Sequence, residues 1–170
     1  MLEIASGHPY VHSAGDADHP SHEALWDIAL GAGADFMGVG VDDEHHIDVS
    51  SDPPATPGRA WISTFGDATD GAAICSAMAQ GQLYASTGIE LRRIAVRDRE
   101  YEVEPVQAHT SVVFIGMGGR ELARRKMLND AQRFTFCAAT RAMSALGSNC
   151  RMASAPGRQQ CGSRTDARGN

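Results

Sequence analysis

Five consecutive polar residues follow an apolar segment: Asp42-Asp43-Glu44-His45-His46. Beyond the end of a strand, alternate residues can turn toward one cavity, so Asp43 and His45 are spaced to share a divalent metal ion. The carboxylate would offset the charge of the ion, and the neutral imidazole would give directed coordination. Asp42 and His46 are predicted to orient these two ligands through hydrogen bonds. The alternative interpretation is a solvated acidic turn.

Two residues near the N-terminus are further candidates for the same site. His8 follows the first apolar segment, in Ser6-Gly7-His8-Pro9, and Glu3 lies within that segment. Polar loops that follow neighbouring parallel strands meet at one edge of a sheet, so His8 is expected near Asp43 and His45. We therefore predict that Asp43 and His45 are catalytic metal ligands, with His8 and Glu3 as candidate additional ligands. A substrate contact or a structural loop role for His8 stays open.

The charge distribution favours a metal site over a nucleic-acid interface. Residues 1–52 contain 11 Asp and Glu, six of the seven His, and no Lys or Arg. Carboxylates and imidazoles without competing ammonium groups suit divalent cations, whereas nucleic-acid binding requires clustered cations. No apolar run approaches the ~20 residues of a membrane span. The start lacks the basic region of a signal peptide, so a cytoplasmic location is the default expectation.

A strand–loop–helix–strand unit is predicted to position these residues. Leu2–Ala5 is typical of a short strand, Ser21 of a helix N-cap, and Asp35–Val41 of a strand buried in a parallel sheet. On the helix, apolar residues at i, i+3, i+4 and i+7 predict one buried face, formed by Leu25, Ile28, Ala29 and Ala32.

The pattern changes near residue 89. Three segments are typical of antiparallel strands: Leu91–Arg97, Glu100–Val106 and Ser111–Ile115. A short helix is predicted at Glu121–Asp130 and a strand at Arg133–Phe136. Tyr84, Ser86 and Thr87 precede Gly88 in a polar turn, where backbone capping is favoured over lining a substrate site.

Three regions follow from these patterns. Residues 1–88 form an α/β unit, residues 89–136 a small β-rich appendage, and residues 137–170 a tail. The tail carries five Arg, no Lys and one acidic residue, without a sustained apolar period. Such a composition predicts disorder, whether it is native or arises from a change of reading frame.

Several segments resemble one family when they are taken in order. They are Glu3-Ile4-Ala5-Ser6-Gly7-His8-Pro9, Leu25-Trp26-Asp27 with Gly33, Gly38-Val39-Gly40-Val41-Asp42-Asp43-Glu44-His45, and the stretch from Ala79 to Gly88. Together they resemble the polymerase and histidinol phosphatase (PHP) family, in its carbaryl-hydrolase-like branch of metal-dependent phosphoesterases. The resemblance covers roughly residues 2–120, and Ser6 stands where the family usually has Asn.

The resemblance implies a distorted (β/α)7 barrel that binds two or three zinc, manganese or iron ions and hydrolyses phosphate or related small-molecule esters. It maps metal binding onto Asp43 and His45. The family's opening His-x-His motif and its middle His and Glu ligands have no counterpart in this chain. The expected fold is therefore the C-terminal part of such a barrel, followed by an antiparallel β appendage and a disordered tail.

The expected function is that of an incomplete metal-dependent hydrolase with weak or no activity alone. Two alternatives stay open: a non-catalytic binding module, and an inactive truncated product. Exposed apolar edges of an incomplete barrel would favour homo-oligomers.

Overall fold

A computed structural model of the protein describes residues 1–45, 56–65, 69–97, 100–107, 111–126 and 134–137. His46 lies outside the described residues, as does the predicted tail apart from Cys137. The proposed role of His46 and the proposed disorder of the tail therefore stay predictions.

The described residues form nine strands, two α-helices and one 3-10 turn. In chain order these are β1 (Leu2–Ser6), α1 (His22–Gly31), β2 (Gly38–Val41), β3 (Trp61–Thr64), α2 (Gly71–Ala79), β4 (Leu83–Ser86), β5 (Leu91–Arg97), β6 (Glu100–Pro105), β7 (Ser111–Ile115), the 3-10 turn (Met117–Gly119), β8 (Glu121–Lys126) and β9 (Phe134–Cys137). The predicted strands around β5, β6, β7 and β9 are confirmed. None of the described helices is both long and apolar enough to cross a membrane.

The predicted barrel is wrong for the part of the chain that the structure describes. Its strands form four small sheets, with orders β1-β2, β3-β4, β5-β6-β9 and β7-β8, and none of them closes on itself. Only β1 and β2 pair in parallel, whereas β3 and β4 pair antiparallel. A (β/α)7 barrel needs each strand to pair in parallel on both sides, so the antiparallel β3–β4 pair breaks that pattern.

Helix α1 packs through a different face from the predicted one. The Oγ of Ser21 caps it by accepting the backbone N–H of Ala24 at 3.1 Å, as predicted. Trp26 is buried, and its indole Nε1 donates to the carbonyl oxygen of Phe36 at 3.0 Å. Leu25 and Ile28, by contrast, are 44% and 65% exposed. The large indole, held by a hydrogen bond to the chain leading into β2, sets the orientation of the helix.

Glycines in β2 allow the neighbouring backbones to approach closely. A Cβ at Gly40 would lie 2.9 Å from the carbonyl oxygen of Trp61 and 3.3 Å from that of Ser86. These atoms belong to β3 and β4, so Gly40 brings both strands against β2. The backbone of a paired sheet cannot move aside as a flexible side chain can.

Gly40→Ala is therefore expected to lower the free energy of unfolding by about 1–3 kcal/mol, the usual cost of overpacking. Gly31→Ala is the matched control, because a Cβ there meets nothing within 4 Å. The control is expected to stabilise α1 by roughly 0.5–1 kcal/mol. Urea unfolding followed by tryptophan fluorescence distinguishes the two effects. Equal midpoints for both variants would contradict the close approach.

The C-terminal β-rich region has its own hydrophobic core. Tyr101 and Val103 of β6 pack with Val112 and Phe114 of β7, and all four are buried. Leu91, Leu122 and Ala123 pack at its margin. Tyr101 and Val103 are two residues apart, as are Val112 and Phe114, so each pair lies on one face of its strand.

The helix predicted at Glu121–Asp130 is wrong, because this segment contains β8. Gly118 and Gly119 both have positive φ, 69° and 75°, and form the turn between β7 and β8. Gly116 N–H then donates to the carbonyl oxygen of Arg120 at 2.8 Å. The tight turn pairs the following residues with β7, and this pairing overrides their helical composition.

Candidate metal site

The parallel pair β1–β2 brings the two polar loops to one edge. Ser6 pairs with Val41 at the carboxyl ends of both strands, and the Gly7 N–H donates to the carbonyl oxygen of Val41 at 2.7 Å. A Cβ at Gly7 would lie 3.1 Å from the Cα of Asp42 and 2.9 Å from the Cβ of Arg59. Glycine at this position therefore lets the loop that carries His8 pass directly beside the one that carries Asp43.

Asp43 and His45 form a side-chain pair at this edge. Nε2 of His45 lies 2.9 Å from Oδ1 of Asp43, and the two side chains are 62% and 33% exposed. Two ligands of one zinc ion, at ordinary bond lengths and angles of 90–109°, lie about 2.9–3.4 Å apart. The pair therefore has the donor atoms and the separation needed to share one ion after little movement.

The backbone of Asp43 adopts a left-handed conformation where the chain turns after β2. Its φ of 50° makes it the only non-glycine residue with positive φ among the described residues. Asp tolerates the left-handed region better than most residues, but the conformation still costs free energy. It turns the chain at the end of β2, so that the carboxylate of Asp43 meets the ring of His45. Such strain is concentrated at functional sites.

His8 lies beside this pair, as predicted from its position after β1. The ring centroids of His8 and His45 are 5.3 Å apart, with an interplanar angle of 88°. The ring of Tyr10 lies 5.6 Å from that of His8, and the backbone N–H of Tyr10 donates to Nδ1 of His8 at 3.3 Å. Sequence reasoning did not single out Tyr10.

Asp42 is bonded to the backbone that leads into β3. Its Oδ2 accepts the N–H of Gly58 at 2.7 Å, and its Oδ1 accepts those of Arg59 at 2.7 Å and Ala60 at 2.9 Å. Desolvation acts to raise the pKa of Asp42, but the three N–H donors and the charge of Arg59 outweigh it and lower the pKa. Asp42 therefore joins the site loop to a segment 16 to 18 residues away; its predicted role in orienting metal ligands stays a prediction.

Glu3 lies within β1 and is not at the edge of the pair. It pairs with Val39, whereas the site follows Val41. In the described ranges, no three His, Cys, Asp or Glu side chains form a group that could hold a metal ion. The structure thus brings together His8, Asp43 and His45, without assembling a complete set of ligands from these residues and Glu3.

The loop between β1 and α1 is held by its own polar contacts. Oγ of Ser13 accepts the N–H of Ser6 at 2.9 Å. Asp16 Oδ1 accepts the N–H groups of Asp18 and His19, both at 2.9 Å. The hydrogen bond from Asp18 is the main reason that the pKa of Asp16 is lowered. These contacts fix the loop that leads from His8 to α1.

Tyr84 and Ser86, in β4, make hydrogen bonds to the backbone that follows this strand, in line with the predicted capping role. The hydroxyl of Tyr84 accepts the N–H of Leu91 at 3.1 Å. Oγ of Ser86 donates to the carbonyl oxygen of Ile89 at 2.6 Å and accepts the N–H of Gly88 at 3.0 Å. These bonds connect β4 to β5 and are structural.

Comparison of the chain with protein-family models, with curated proteins and with solved structures gives no match. The resemblance to the PHP family therefore depends only on the residues of the segments quoted above.

Proposed function

We propose that the chain carries part of the active site of a metal-dependent hydrolase acting on phosphate or related esters, with Asp43 and His45 as metal ligands. The relationship to the PHP family that suggests this reaction is part of the proposal. The observation that carries it is the 2.9 Å separation between Nε2 of His45 and Oδ1 of Asp43. Zinc, manganese and iron all accept a carboxylate together with an imidazole.

A divalent ion held at this pair would polarise an ester oxygen and lower the pKa of a bound water molecule. Binding through Nε2 of His45 requires the tautomer in which this nitrogen carries no proton. The side chain of His45 is exposed and that of Asp43 is partly exposed, so the pair is accessible to a small-molecule ester. Asp42 restrains the start of the loop through its three backbone hydrogen bonds.

The proposed metal site is incomplete, because catalytic zinc sites ordinarily have three protein ligands. The described residues offer two at the pair, and no third carboxylate, thiolate or imidazole completes a ligand group among them. The chain alone is therefore expected to bind one ion weakly and to turn over little substrate.

Hydrolysis of simple phosphomonoesters and phosphodiesters, assayed with added zinc or manganese, tests this proposal. We expect a rate close to the uncatalysed background, with the small metal-dependent part lost in His45→Ala. His12→Ala is the matched control, since His12 is also an exposed loop histidine, 72% accessible, and should leave the rate unchanged. A rate that persists after chelation, or in His45→Ala, would contradict the proposed site. Rapid hydrolysis by the chain alone would contradict the proposal that its metal site is incomplete.

A non-catalytic binding module is the second candidate, because the β-rich region has a hydrophobic core of its own that does not depend on the metal site. The most completely buried cluster lies in the β-rich region, around Val103 and Val112, which are 1% and 0% exposed, and not beside Asp43 and His45. Specific ligand binding that is unaffected by His45→Ala would support this alternative.

A further inference from the structure

We infer that the exposed face of α1 and the adjoining β7–β8 hairpin form a docking surface for a second copy of this chain, in a two-fold symmetric dimer. In that dimer, α1 of each copy lies against the hairpin of the other. The docking surface includes neither Asp43 nor His45, so the inference does not depend on the proposed metal site.

One side of α1 presents apolar side chains to solvent. Leu25 and Ile28 are 44% and 65% exposed, and Ala32 at the end of the helix is exposed as well. These residues are spaced at i, i+3 and i+7, so they share one side of the helix. Trp26 buries a different side. An apolar helix face that the chain itself leaves open is typical of an interaction surface.

The β7–β8 hairpin lies directly beside this helix. The turn Met117–Gly119 packs against α1, and a Cβ at Gly119 would lie 2.7 Å from Oδ2 of Asp27. Asp27 immediately precedes Ile28, and Met117 in the turn is 64% exposed. The helix and the hairpin therefore adjoin each other, and both contribute an exposed apolar side chain.

The two halves of the docking surface carry opposite charge. The helix contains Glu23 and Asp27, and residues 1–45 contain no Lys or Arg. The hairpin segment that ends in β8 has one exposed acid and four exposed cations: Glu121, Arg120, Arg124, Arg125 and Lys126. The ion pair between Arg124 and Glu121 neutralises one cation, so the strand stays positively charged.

A two-fold dimer requires a surface of this kind. The same patch meets itself across the symmetry axis, so an acidic half must face a basic half. Rotation about an axis between α1 and the hairpin places the acidic helix of one copy on the basic strand of the other. An apolar centre with a charged rim is usual at interfaces, where Met and Arg are enriched. Only a few exposed apolar side chains are present, which predicts a reversible dimer rather than an obligate one.

Sedimentation equilibrium of the full chain, over about a hundredfold range of concentration, tests the inference. We expect a monomer–dimer equilibrium that Ile28→Glu weakens at least about tenfold, because it places a charge in the apolar centre. Ile74→Glu is the matched control, since Ile74 is an exposed isoleucine on the other helix, at 38%. The control should leave the dimerisation constant within about twofold. A monomeric wild-type chain, assembly beyond dimers, or equal effects of the two variants would overturn the inference.

The dependence on salt tests the charged part of the surface without any substitution. The wild-type dimer should weaken as salt is raised to about 1 M, where charges are screened beyond about 3 Å. Arg120→Glu should weaken it by at least about threefold at low salt, because reversal puts like charges in contact. A dimer that is indifferent to salt and to Arg120→Glu would overturn the inference. The metal-free chain is used throughout, so failure of the chain to bind zinc would overturn only the proposed function.

Discussion

Asp42→Ala is expected to lower the free energy of unfolding by about 2–4 kcal/mol, because it removes three hydrogen bonds to a charged acceptor. The N–H groups of Gly58, Arg59 and Ala60 would lose the carboxylate that they share. Partial solvent access limits the cost, since water can replace some of these bonds. Asp42→Asn retains one acceptor oxygen and should lose about half as much. Urea unfolding, followed by tryptophan fluorescence, measures both variants.

Glu44→Ala is the matched control for Asp42→Ala. Glu44 is a half-buried carboxylate in the same loop, and its removal should change the free energy of unfolding by less than about 0.5 kcal/mol. Equal destabilisation by the two alanine substitutions would contradict the role given to Asp42.

The contribution of Asp42 should also depend on pH. Its pKa in the folded protein is below the ordinary value of 3.8, so the native state favours the ionised form. The stabilisation is fully present above the ordinary pKa and is lost as the pH falls through the lowered one. The difference in unfolding free energy between the wild type and Asp42→Asn should therefore be constant near neutrality and should shrink below about pH 4. A difference that grows in acid would contradict the sign of the shift.

Asp43→Asn is expected to abolish most metal affinity without destabilising the protein. Asn tolerates the left-handed backbone at φ 50° as Asp does, and an exposed pair such as Asp43 and His45 contributes at most about 1 kcal/mol. Removing a residue that only hydrogen-bonds to a metal ligand already lowers metal affinity about 10–100-fold. Replacing Asp43, a proposed ligand itself, should therefore weaken zinc or manganese binding by at least about 100-fold. Titration calorimetry and urea unfolding together measure both quantities.

Glu44→Gln serves as the control for the charge change at Asp43. It removes the same charge from the adjacent position, and it should leave metal affinity within about threefold. If Glu44→Gln weakened binding as much as Asp43→Asn, the effect would come from the general negative charge of the loop and not from ligation.

The position of the candidate site could be predicted because its causes are local. The apolar segments before His8 and Asp43 each predict a strand, and polar residues after parallel strands meet at one edge. The β1–β2 pair has this geometry. The partners of Asp42 could not be predicted, because Gly58–Ala60 is distant in sequence and has no motif that marks it.

The predictions about the fold that are wrong concern features that depend on residues distant in the sequence. The spacing of Leu25 and Ile28 predicts an apolar face, but the packing of Trp26 decides which side of α1 is buried. The antiparallel direction of β4 against β3 depends on how α2 returns the chain, which hydropathy patterning does not encode. At Glu121–Lys126, pairing with β7 outweighs helix propensity.

The most direct test of the central claim is calorimetric titration of the chain with zinc or manganese, for the wild type and for Asp43→Asn/His45→Ala. Unfolding curves measured in parallel establish that both proteins are folded. The proposed site predicts about one weakly bound ion per wild-type chain and none at this site in the double variant. A folded wild-type chain that binds no ion, or a double variant that binds as the wild type does, would contradict the claim that Asp43 and His45 hold a metal.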